Sequence, residues 1–110
     1  MPGMYELHLN LTITAHTHRC CLDLTKRFKN LAAAFDFGHF TISENKSTRK
    51  GDVLTRNLAI TMYDYPSAVI LFREAVDRIV EACNLWYVNC ATVQLYHASA
   101  VSIDKRADLL

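Results

Sequence analysis

The chain has 110 residues and a mass of 12.5 kDa, the size of one domain that buries roughly two thirds of its unfolded surface. Hydrophobic residues make up 51% and charged ones 21%, which excludes a disordered polar tail, and a net charge of +1 excludes a whole-chain field that would draw it to nucleic acid or a membrane. No uncharged apolar run reaches the roughly 18 residues of a bilayer helix, and the start, MPGMYELHLN, lacks a basic stretch followed by an apolar one, so a cytoplasmic protein without a secretory leader is expected.

Residues 5–15 read YELHLNLTITA. Tyr5, Leu7, Leu9, Leu11, Ile13 and Ala15 alternate with Glu6, His8, Asn10, Thr12 and Thr14, the period of a strand with one dry face. The period then changes. Cys21, Leu24, Phe28, Leu31, Ala32 and Phe35 recur at spacings of three and four, which predicts an amphipathic helix over about 17–34, capped near Thr17 or His18.

Gly38 precedes HFTIS at 39–43, where Phe40 and Ile42 alternate with His39, Thr41 and Ser43. The polar stretch ENKSTRKGD at 44–52 predicts a loop. A strand over about 53–63 places Leu54, Leu58, Ile60 and Met62 on one face and Asn57, Ala59, Thr61 and Tyr63 on the other; Arg56 falls on the apolar side of that count. The two strands read as a hairpin with a long basic tip. Pro66 suits the first turn of a helix that runs to about residue 85, with Asp64 as its cap. A last strand is expected over about 88–97, with Ala91, Val93 and Leu95 opposing Cys90, Thr92, Gln94 and Tyr96. The single domain then spans 1–97, and 98–110 is a tail that adds a short helix or covers a neighbouring chain.

The order strand, helix, strand, strand, helix, strand resembles the ferredoxin-like fold: an α+β sandwich, βαββαβ, with a four-stranded antiparallel sheet in the order 4-1-3-2 and both helices on one face. That fold hosts many activities. Nothing in the chain roofs the second face of such a sheet. It carries His8, Asn10, Thr12, Thr41, Asn57, Thr61 and Tyr63, and among its charged residues only Glu6. A wet face usually keeps Lys and Glu, so the expectation is a binding or regulatory module that self-associates through this face, as a homodimer. Asn10, Thr12, Asn57, Thr61 and Tyr63 would contact the partner or an anionic, nucleotide-like ligand. Arg19 at the helix start and Lys46, Arg49 and Lys50 on the loop would steer it, because residues 19–56 carry net +4 and the remainder −3. An RNA-reading sheet would need stacking aromatics at its centre; His8, Asn10, Asn57 and Ala59 argue against one. No cofactor is implied.

Two further constellations bear chemistry. His39-Phe40-Thr41 is similar to the signature of the two-histidine phosphoesterases, in which paired His-apolar-Thr/Ser strands supply an acid, a base and hydroxyls around a phosphate. This implies a catalytic set of His8, His39 and Thr41. His8-Leu9-Asn10 has Asn at the hydroxyl position, and the alternation puts His97 of His97-Ala98-Ser99 on the helix side or past the strand end. At the first strand-to-helix junction, His16, His18 and Cys20 could ligate zinc or copper. The placement resembles that of the heavy-metal-associated domains, whose two cysteines are separated by two residues, whereas Cys20 and Cys21 are adjacent. None of Cys20, Cys21, Cys83 and Cys90 forms a C-x-x-C pair, and reduced thiols are expected.

Overall fold

A computed structural model describes residues 3–33 and 39–102. Phe35, Gly38 and the tail beyond residue 102 lie outside the described residues. In chain order the elements are β1 (Tyr5–Ala15), α1 (His18–Ala33), β2 (His39–Glu44), β3 (Thr48–Lys50), β4 (Val53–Asp64), α2 (Pro66–Trp86) and β5 (Ala91–Ser102). The protein is α+β, with two helices and an antiparallel five-stranded sheet in these residues. The sheet runs β2-β4-β1-β5, and β3 pairs separately with β4.

The fifth strand corrects the expectation of four. Part of the predicted loop folds back on itself: Thr48, Arg49 and Lys50 pair with Thr55, Leu54 and Val53. The two-residue turn is Gly51-Asp52, and Gly51 adopts a φ of 64°, the left-handed backbone that such hairpins favour and that glycine takes without a Cβ clash.

Strand β1 lies at the centre because its apolar side is continuous. Leu7, Leu9, Leu11, Ile13 and Ala15 are all buried. They pack with Leu58, Ile60 and Met62 of β4 and Ala91 and Val93 of β5 beneath Leu24 and Phe28 of α1 and Phe72, Val76 and Ile79 of α2. Each of the larger side chains among them, Leu, Ile, Val, Met or Phe, contributes about 1.5–3 kcal/mol of burial. Phe40 of β2 joins this layer against Phe72, ring centroids 5.2 Å apart.

The helix caps divide as their chemistry dictates. The Thr17 hydroxyl accepts the Cys20 N–H at 3.1 Å, a side-chain N-cap. Asp64 does not cap α2. Its carboxylate accepts the Tyr65 N–H at 2.7 Å, and Tyr65 is the N-cap residue, with Pro66 opening the helix. Trp86, at the end of α2, is 51% exposed, and the Arg27 guanidinium stacks 4.9 Å from its ring centroid.

Strand β5 starts and ends later than expected. Residues 87–90 form a turn in which Cys90 N–H and Ala91 N–H both donate to the Tyr87 carbonyl, and pairing with β1 continues through Ser102. Residues 98–102 are therefore sheet. The pairing also slips. Leu11 faces Leu95, but Asn10 faces His97, which leaves Tyr96 as the extra residue of a β-bulge. Asn84 of α2 clasps β5: its amide donates to the Val93 carbonyl at 2.9 Å and its oxygen accepts the Val93 N–H at 2.7 Å.

Candidate functional site

Opposed residues of antiparallel strands share a face, so the register maps, row by row, the side of the sheet that no helix among the described residues covers. One row is Thr41, Thr61, His8 and Ser99. The next is Ser43, Ala59, Asn10 and His97, and beyond it stand Asn57, Thr12 and Gln94. On the other side of His8 lie Tyr63, Glu6 and Val101. The expected face residues His8, Asn10, Thr12, Thr41, Asn57, Thr61 and Tyr63 are thus brought together. Among the described residues of the four long strands, Glu6 is the charged side chain on this face. It holds His8, with Glu6 Oε1 3.1 Å from His8 Nε2. The Thr12 hydroxyl donates to the Asn57 amide oxygen at 3.0 Å. Tyr63, Tyr96 and Val101 stand out from the surface.

The bulge corrects the position of His97. Below Tyr96 the phase reverses, so His97 opposes Asn10 and Ser99 opposes His8 on the uncovered face, while Ala98 and Ala100 oppose Leu9 and Leu7. The signal was present in the sequence: the apolar phase steps by three from Leu95 to Ala98 instead of by two. His39, by contrast, is not beside His8. Its backbone opposes Tyr63 on β4, which separates β2 from β1.

The basic residues do not join this patch as a group. Arg19 is exposed in the first turn of α1, Lys46 lies in the segment before β3, and Arg49 and Lys50 are exposed on β3. The register of Ala15 with Leu54 and of Arg49 with Leu54 puts the β3 hairpin and the start of α1 at one end of the sheet, away from the His8 row.

At that same end the cysteines form a pair that sequence spacing could not reveal. The His16 N–H donates to the Cys90 carbonyl at 3.1 Å, which draws the turn before β5 onto the start of α1. A hydrogen bond from Cys90, helped by Thr17, holds the Cys20 thiol below its ordinary pKa. The same bond pushes Cys90 up. Both thiols are free. Cys20 therefore turns to Cys90, and among the described residues no group of three or more His, Cys, Asp or Glu side chains is gathered to hold a metal ion. His16 and His18 are exposed. Cys21 is buried on the helical stripe, and burial pushes its thiol up.

No family model and no curated protein matches the chain. Solved structures do. A de novo designed protein, Foldit4, superposes with a TM-score of 0.63 at 12% identity, over 88% of this chain and 97% of that one. An amidase of the hydantoinase/carbamoylase family from Burkholderia phymatum matches with a TM-score of 0.56 at 9% identity, over 99% of this chain and 35% of that one. An aminobenzoyl-glutamate utilization protein from Klebsiella pneumoniae gives 0.56 at 11%, over 91% and 30%. The chain spans about a third of either bacterial protein. At these identities the likeness concerns the fold alone. Among the described residues no helix is long and apolar enough to cross a membrane.

Proposed function

We propose that this chain is a small binding module of ferredoxin-like arrangement that pairs with a second copy of itself through the uncovered face of its sheet. The observation that carries this reading is the composition of that face: hydroxyls, amides and two tyrosines around a single carboxylate, itself paired with His8. Thr and Tyr bury an apolar body while their polar tips bond across an interface. A patch four strands wide and about ten residues long offers roughly 600 Å² in plan, close to the ~800 Å² per partner of a standard interface. The same layering stands alone as a designed protein and recurs as about a third of larger bacterial proteins, which fits a unit that serves as a part.

Sedimentation equilibrium tests it. The parent chain sediments as a dimer. Thr61→Arg and Asn10→Arg place an unpaired cation at the centre of the contact and weaken pairing at least about tenfold, while Arg78→Glu, on the exposed side of α2, leaves it unchanged. A monomeric parent, or arginine variants that pair as the parent does, overturns the reading.

A second reading, histidine-dependent chemistry on a phosphorylated ligand, is favoured by the bulge, which sets His97 and Ser99 beside His8. In this reading His97 takes the place of His39 as the partner of His8. Turnover of a simple phosphodiester that is lost in both His8→Ala and His97→Ala supports it; no turnover by the parent removes it.

A further inference from the structure

We propose a second site, on the helix side of the sheet: a cleft between α1 and the end of the β2–β4 ribbon that holds Glu44 and Arg56, which binds a phosphoryl dianion. The cleft measures about 310 Å³, and Lys26, Lys29, Asn30, Glu44 and Arg56 line it. Three cations face one carboxylate, a surplus of two positive charges. The pairing is loose. Glu44 stands 3.8 Å from Lys29 and 3.7 Å from Arg56, beyond direct hydrogen-bond length.

Arg56 is the unusual residue. It opposes Ile13 on β1 and so points to the helix side, where the sequence pattern calls for an apolar side chain. Its side chain is only 14% exposed, and its Nε is buried with no hydrogen-bond partner among the described residues. Burying a guanidinium with an unpaired N–H costs free energy that a native structure recovers elsewhere. Among the described residues, the loose ion pair with Glu44 offsets part of this cost and leaves Nε without a partner.

A phosphoryl group fits what is left over. Its two negative charges cancel the surplus with Glu44 still in place. Its three terminal oxygens suit the fork of Arg56 together with the ammonium groups of Lys26 and Lys29 and the amide of Asn30. A single carboxylate supplies half that charge. The group could come from a free phosphate compound or from a phosphate headgroup at a membrane surface. This site is independent of the self-association reading, since it lies on the opposite side of the sheet.

The test is a titration of the isotope-labelled full chain, followed by amide and arginine side-chain NMR. One arm uses inorganic phosphate at a pH where it is a dianion, and the other uses phosphatidylcholine vesicles with and without phosphatidic acid. Shifts at Lys29, Asn30 and Arg56 are expected in at least one arm. Phosphate alone points to a soluble ligand; the acidic vesicles alone point to a headgroup. Lys29→Gln weakens the interaction about tenfold, and Glu44→Gln, which removes the competing negative charge, tightens it by about the same factor. Both positions are partly exposed, so the fold survives. The proposal is overturned if neither probe moves these resonances, if the shifts fall on Lys46, Arg49 and Lys50 instead, or if the two substitutions leave the affinity unchanged.

Discussion

Asn10 of β1 faces His97 of β5 across the sheet, because Tyr96 is squeezed out of the ladder one position earlier. That single extra residue decides which side chains of residues 97–101 meet the open face. Without it, His97, Ser99 and Val101 would turn toward α2, and Ala98 and Ala100 would turn outward. Deletion of Tyr96 imposes this reversal, or else breaks the pairing beyond Leu95. Either outcome takes Ala98 and Ala100 away from Leu9 and Leu7 or loses the pairing beyond Leu95, so urea denaturation should show a loss on the order of 1–3 kcal/mol. Replacing Tyr96 by Thr keeps the residue count and should cost about 0.5 kcal/mol or less, as for an exposed position.

The clasp between Asn84 and Val93 is a side-chain amide acting as a strand partner, with one donated and one accepted bond. It fixes the end of α2 against the first turns of β5 at a half-buried position. Asn84→Ala strands both backbone groups of Val93 and should lower stability by about 1–3 kcal/mol. Asn84→Asp keeps the acceptor and loses the donor to the Val93 carbonyl, so its melting temperature should fall between those of the parent and the alanine variant.

Cys20 and Cys90 share one hydrogen bond with opposite consequences. The bond from Cys90 favours the Cys20 thiolate and disfavours that of Cys90. Because the thiolate is the nucleophile, Cys20 should be alkylated by iodoacetamide before Cys90. Its rate should also reach a plateau at a lower pH. Peptide mass mapping of a partial reaction reads the order directly. In Cys90→Ala the main stabiliser of the Cys20 thiolate is gone, and the Cys20 pH profile should move upward toward that of an ordinary thiol.

Much of this architecture could be read from the chain. The eleven-residue alternation of β1 and the helical spacing of Cys21, Leu24 and Phe28 both reflect a buried face that is continuous along one element, and such faces write themselves into sequence. Strand β3 did not, because Thr48, Arg49 and Lys50 are exposed all round and carry no apolar phase. The bulge left a faint trace, the three-residue step from Leu95 to Ala98. The nearness of Cys20 to Cys90 left none, since it arises where a turn and a helix start from distant parts of the chain meet one end of the sheet. Arg56 was visible as a charge on the wrong side of an alternating count, and what that charge faces depends on α1, which the strand alone cannot specify.

Isotope-filtered NOE spectroscopy on an equimolar mixture of labelled and unlabelled chains decides whether two copies meet sheet to sheet. If they do, contacts between protomers run from the Tyr63 ring to the methyl groups of Thr41, Thr61 or Thr12. A dimer whose cross-protomer contacts arise instead from Ile70 and Leu71 of α2, or a mixture with no such contacts at all, would contradict sheet-to-sheet pairing.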